Sequence, residues 1–111
     1  MLKFNQSISF DDMLLVPQFS DINSRKEVDI STQLDKNLKL KIPIISSPMD
    51  TVTEYATAVS IAKEGGIGII HRYNTLQQQM EEVHNSWIDG QLVGAAIGVS
   101  GDYMDRAMAV T

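Results

Sequence analysis

Three times in this chain a short, continuous apolar run is followed by a helix-patterned segment. The runs begin near Ile44, Ile67 and Leu92, a period of roughly 25 residues. Strict alternation of apolar and polar residues would mark strands with one wet face. Continuous runs instead suit parallel strands covered by helices. The first unit joins Pro43–Ser46 to TEYATAVSIAKE at 53–64, where Tyr55, Ala58, Val59 and Ala62 share one helical face. Thr51 and Glu54 have capping-box spacing, and Gly65-Gly66 supplies a stop. The second unit joins Ile67–Ile70 to a helix opened by Thr75 and Gln78, again a capping box, with Leu76, Met80, Val83 and Trp87 as its apolar stripe. Asp89-Gly90 turns the chain into LVGAAIGV at 92–99. Asp102 then opens a third helix with Tyr103, Ala107 and Val110 on one side.

The first 42 residues are organised differently. FDDMLLVPQFSDINSRKEVDIST mixes short apolar pieces with polar turns. Val28–Thr32 and Leu38–Leu40 read as a hairpin around Asp35-Lys36-Asn37. The expected organisation is therefore residues 1–42 as an N-terminal segment closing one end, and 43–111 as three βα units. Two architectures accommodate this pattern: the opening of a (β/α)8 TIM barrel, or a small doubly wound, flavodoxin-like sheet. A barrel at this period needs about 200 residues or more, so that reading implies further protein.

Composition narrows the function classes. The 111 residues carry a net charge of −5, and no basic run exceeds Arg25-Lys26, which argues against a nucleic-acid face. No stretch approaches the roughly 20 apolar residues that span a bilayer. MLKFNQSISFDD lacks the apolar core of a secretory signal, so the expected compartment is the cytoplasm. There is no cysteine, hence no thiolate metal ligand and no cysteine nucleophile in these residues.

In parallel α/β folds, chemistry collects where strands end and helices begin. That rule gathers SSPMDT, HRYN and SGD on one rim. Pro48 fixes its own φ and holds Ser47 extended. Gly65-Gly66 precedes its strand, so it cannot form a phosphate loop at the next helix start. Gly94 and Gly98 read as places that admit bulky neighbours. Asp50 competes between an N-cap role and a polar role at the rim, and His71 between a packed or solvent-facing residue and a functional one. His84 and the run Gln77-Gln78-Gln79 read as solvated helix surface, and the methionines mostly as core.

SSPMDTVTE and GGIGIIHR, in this order and spacing, together with FDDMLLVPQ and LVGAAIGVSGDYMDRA, resemble the opening of the family shared by inosine 5′-monophosphate (IMP) dehydrogenase and guanosine 5′-monophosphate (GMP) reductase. The resemblance implies a (β/α)8 barrel. It implies that Ser47 and Met49 contact the bound nucleotide, the thioether lying near the purine, with Asp50, Thr51 and His71 as possible rim residues. No catalytic residue and no metal ligand is expected among these 111 residues. The Ser-Pro pair is more similar to the dehydrogenase branch, which oxidises IMP with NAD in guanine nucleotide biosynthesis; GMP reductase, which consumes NADPH, is the nearest alternative. The family's cysteine nucleophile, general base, phosphate loops and monovalent-cation site lie in later barrel units. The resemblance therefore implies a chain inactive alone, completed by a second polypeptide or further residues, and a homotetramer of the completed unit. Val83 runs through HNSWIDGQ straight into Leu92, so the regulatory CBS repeats usual at that place are expected to be absent. A non-catalytic binding or assembly module is the reading from a different class.

Overall fold

The computed structural model describes residues 7–111. Its body is the repeated unit. Strand β3 (Ile45–Ser46) leads to helix α1 (Tyr55–Lys63), β4 (Ile67–Ile70) to α2 (Leu76–Ile88), and β5 (Gly94–Ala95) to α3 (Tyr103–Ala109). The three strands are parallel and lie in the order β3-β4-β5, with Ile45 beside Ile67 and Ile69 beside Gly94. Spatial order follows chain order, and α1 packs on α2 as α2 packs on α3, which lines the helices along one face. A flavodoxin-like sheet requires the strand order to reverse, and the described strands do not do so.

Local chemistry sets where the first two helices stop. Gly65 (φ +95°) donates to the carbonyl of Ala62 and Gly66 to that of Ile61, at 2.9 and 3.0 Å. Gly90 (φ +69°) and Gln91 repeat the arrangement on Trp87 and Ser86 at 2.8 and 2.9 Å. Both are Schellman closures, which need a residue content at positive φ just past the helix.

Where the helices begin, tertiary structure overrides the sequence expectation once. Thr75 and Gln78 form the capping box expected for α2. The Thr51–Glu54 box does not form. Glu54 occupies the N-cap of α1 without a side-chain bond, and Thr51 sits at φ +59° in the preceding turn. The first amide of α1, at Tyr55, donates instead to the Glu82 carboxylate of α2 at 3.0 Å. A carboxylate at a helix N-terminus satisfies an orphan donor and complements the dipole, whichever element carries it. Asp102 is likewise the N-cap of α3 without a capping bond; its carboxylate accepts from Arg106 Nε at 2.9 Å.

The core lies between sheet and helices: Ala58, Ile70, Val83 and Val93, with Ala95 and Val110 packed against it. Gly68 sets the distance between α1 and β4. A Cβ added there would lie 2.3 Å from Ala58 Cα, so helix and strand touch backbone to backbone. Gly94 makes room for Ile69 and Gly98 for the Arg72 guanidinium, as expected. The opposite face of the sheet is less covered than a doubly buried strand would be, with Ile45 half exposed.

The α2 stripe also differs from expectation. Its buried residues are Gln79, Val83 and Ser86, while Met80 and Trp87 are exposed. Gln79 is not solvated surface: it is fully buried. Its Nε2 donates to the carbonyls of His71 and Ala96 at 3.1 and 2.8 Å, and its Oε1 accepts from Arg106 Nη1 at 3.0 Å. The amide thus joins the ends of two strands, and α3 is drawn against it by a guanidinium that also donates to the Asn74 carbonyl at 2.8 Å.

Before the body comes a hairpin, β1 (Thr32–Gln33) with β2 (Lys39–Leu40), antiparallel with Thr32 opposite Leu40. Its first strand lies later than Val28–Thr32, because Asp35 sets the register: its carboxylate accepts from the amides of Asn37 and Leu38 at 2.6 and 3.0 Å. The amides of Lys41 and Ile42 donate to the Gly65 carbonyl, which fixes the hairpin at the end where the parallel strands begin. Residues 8–31 are mostly irregular, apart from single turns at Phe10–Asp12 and Arg25–Glu27, and expose Phe10, Leu14, Leu15 and Phe19 almost completely. The radius of gyration is 18.9 Å, against about 13 Å for a compact chain of this length.

Candidate functional site

The strand-to-helix rim brings together the corner 46–54, the segment His71–Asn74 and the end of β5. The corner is a knot of short hydrogen bonds. The Ser47 carbonyl accepts from the Met49 amide at 2.8 Å and from the Thr53 hydroxyl at 2.6 Å. The Met49 carbonyl accepts from the amides of Val52 and Thr53, both at 3.1 Å. Thr53 is completely buried, and its own carbonyl accepts from the His71 amide at 3.2 Å, which ties the corner to the end of β4. Sequence reasoning passed over Thr53; its signal was a threonine directly after a turn, a residue able to bond back to the chain.

Held this way, the corner leaves its candidate side chains free. Ser47, Asp50 and Thr51 are exposed, and Met49 exposes about half of its surface at 55%. The arrangement offers a thioether beside a hydroxyl on a fixed backbone, a surface suited to the face of a flat heterocycle. His84 is exposed on α2, as expected.

His71 is the residue whose setting is least visible in the sequence. It is 3% exposed, its ring stacked against Tyr73 at 6.2 Å. Its Nδ1 accepts from the Tyr73 amide at 3.0 Å. The neutral ring therefore carries its proton on Nε2. That Nε2 is buried without a hydrogen-bond partner, and the nearest Glu54 oxygen is 3.7 Å away. Asp50, Glu54 and His71 bring three potential ligand atoms within 4.8 Å of one another, a spacing that would suit a metal ion. The ring presents an N–H there, whereas a metal needs a lone pair. Beside it, Arg72 lies 5.9 Å from the centre of the Tyr73 ring and against Gly98.

Comparison with known proteins fits this geometry. Residues 7–111 match the family model described as the IMP dehydrogenase / GMP reductase domain. The chain is 51% identical over 82 residues to an inosine-5′-monophosphate dehydrogenase of Nitrosopumilus maritimus, covering 74% of this chain and 17% of the relative. It is 54% identical over 81 residues to the corresponding protein of Aquifex aeolicus, covering 73% and 16%. A GMP reductase of Leishmania donovani is 53% identical over 74 residues, covering 67% and 15%. The aligned region thus spans only about a sixth of these relatives' length. With the family model matching nearly the whole sequence, the chain belongs to the IMP dehydrogenase / GMP reductase family.

Proposed function

We propose that this chain is the N-terminal part of an IMP dehydrogenase and contributes the floor of the nucleotide site to a (β/α)8 barrel that further protein completes. The observation that carries the reading is the family match over residues 7–111. Three features support it: sequential parallel strands with helices on one face, a half-open opposite face, and an apolar N-terminal arm. Exposed apolar surface of this extent seeks a partner surface. In the completed barrel Met49 packs on the purine and Ser47 hydrogen-bonds the nucleotide, both aimed by Pro48 and the Thr53 anchor. Asp50, Thr51 and His71 form the polar rim. The α2–β5 connection closes through Asp89-Gly90, which supports an enzyme without CBS repeats there.

These residues contain no cysteine, so the nucleophile comes from the completing part; the family resemblance puts the general base and the monovalent-cation site there too, and the chain alone is inactive. NAD, when bound, supplies the hydride acceptor. Asp50 and Glu54, both exposed, place two carboxylates on the rim near His71, which disfavours a pyrophosphate there. The completed unit is a cytoplasmic homotetramer.

The test is complementation. The chain is co-expressed in turn with the portions of the Aquifex aeolicus and Leishmania donovani relatives that follow the matched region, and both redox directions are assayed with each pair. NAD reduction with IMP is the expected outcome, and Met49→Ala should raise KM for IMP about tenfold through lost ring contact. NADPH oxidation with GMP would assign the reductase reaction, a reading favoured by the Leishmania relatives. A monomer that unfolds sharply alone and does not associate with the complementing part would favour a binding or assembly module.

A further inference from the structure

Glu82 stands in the middle of α2, yet its carboxylate reaches two segments of the rim. Oε2 accepts from the Tyr55 amide, the first of α1, at 3.0 Å, and Oε1 accepts from Asn74 Nδ2 at 3.4 Å. Neither bond serves α2 itself, which Thr75 and Gln78 cap and Gly90 and Gln91 close. What they hold is the ground between the first two units. There Thr51 sits at φ +59°, a left-handed conformation that a β-branched residue keeps only where its surroundings enforce it. Just before Thr51 the turn is tied at the Met49 carbonyl, which accepts from the amides of Val52 and Thr53. Beyond it, Glu54 makes no side-chain cap, so the start of α1 is held by Thr53 and by Glu82.

We propose that Glu82 is a positioning residue for the nucleotide floor: with one carboxylate it fixes the start of α1 and the Asn74 side chain, and so keeps the corner 47–53 in the strained form that presents Ser47 and Met49. It acts through the backbone of the corner and not by touching the nucleotide. That the corner serves a nucleotide rests on the function proposed above; the bond geometry does not. A carboxylate suits the task because both its oxygens accept and neither donates, while the two donors come from different units. Its charge also favours the N-terminal end of α1. The segment it grips is tied onward to α3, since the Asn74 carbonyl accepts from Arg106 Nη2 at 2.8 Å. Glutamine can take over both bonds. Its Oε1 accepts from the Tyr55 amide, and its Nε2 donates to Asn74 Oδ1, which is buried without a partner, once that amide is turned over. Alanine keeps the helix and removes both bonds.

The test has two arms. Hydrogen exchange of the full chain, read by mass spectrometry on fragments over 47–55, 68–74 and the hairpin 32–40, follows the corner without any ligand. Glu82→Ala should speed exchange about tenfold in the first two fragments and leave the hairpin unchanged. Glu82→Gln should restore most of the protection, and Glu81→Ala, its exposed neighbour on α2, should change none of the three. In the second arm the same variants are complemented as above and assayed with IMP. Glu82→Ala should raise KM for IMP about tenfold with kcat within about twofold, the mark of binding lost equally from ground and transition states. Lost stability alone would lower the active fraction, hence the apparent kcat, and leave KM in place. Exchange that quickens alike in all three fragments, or a corner as protected in Glu82→Ala as in Glu81→Ala, would overturn the proposal. If Glu82→Ala does not fold, Glu82→Asp, one methylene short of reaching both donors, is read in the same way. A wild-type pair without turnover, alongside a corner loosened by Glu82→Ala, would refute the enzyme reading alone; turnover whose KM ignores Glu82→Ala would refute this inference alone.

Discussion

Replacing Gln79 by leucine tests the internal logic of the fold most directly. The substitution keeps the side chain's approximate size and removes three hydrogen bonds at once, to the carbonyls of His71 and Ala96 and from Arg106 Nη1. Gln79 is 0% exposed and Arg106 7%, so water cannot replace the lost partners. The bond to the guanidinium contributes about 2 kcal/mol and the two bonds to carbonyls about 1 each. Leucine returns roughly 1 kcal/mol through its extra apolar burial. The net loss is about 3 kcal/mol, or roughly two orders of magnitude in the folding equilibrium. Arg106 retains Asp102 and the Asn74 carbonyl, which keeps the loss below that of a fully stranded buried charge. Urea unfolding followed by the fluorescence of the single tryptophan, Trp87 on α2, measures it. At a slope of ~1.5 kcal/mol/M the midpoint should fall by about 2 M. Gln77→Leu, two positions away on the exposed face, is the control and should change stability by less than about 0.5 kcal/mol. If the two variants unfold within about 1 kcal/mol of each other, the buried amide does not join the strands to α3 and the reasoning fails.

Three further substitutions probe the packing, the turn after α2 and the α1–α2 contact. Gly68→Ala places a methyl 2.3 Å from a helix backbone atom and should cost about 3 kcal/mol, the upper range for overpacking, whereas Gly90→Ala, with nothing within 4 Å, should cost only the ~1–2 kcal/mol of a left-handed backbone; equal losses in urea unfolding would contradict the close contact of α1 and β4. The Tyr55 hydroxyl donates to the Asp89 carboxylate at 2.6 Å, a bond that holds the phenol's pKa above its ordinary value of 10.0. The folded state thus favours the protonated phenol, so the contribution is complete below about pH 10 and fades as pH rises through the raised value. The stability difference between the wild type and Tyr55→Phe should be flat at neutral pH and shrink in alkali; a difference that grows there would reverse the assigned direction.

Much of this fold and part of the site are legible in the residues alone, and the boundary has a physical origin. The turn at Asp89-Gly90, the Schellman stops and the Thr75–Gln78 box close within five or so residues, so nearby side chains suffice to specify them, and the three repeats show in the hydrophobic period alone. SSPMDT and HRYN could be assigned to one rim because parallel βα units have only one end at which strands give way to helices. Other features depend on residues far along the chain. The cap of α1 comes from Glu82, 27 residues after the amide it accepts. Gln79 is buried because Arg106, also 27 residues on, closes over it. The His71 tautomer follows from where the Tyr73 amide points, and its unmet proton from the Glu54 oxygen lying 3.7 Å away. A polar side chain on a helix reads as solvated until the neighbour that covers it is known. Hydrophobic period and turn chemistry therefore determined the elements and their order, while the tertiary contacts decided which polar groups are buried, paired or left without a partner, because desolvation depends on the whole surroundings rather than on the local chain.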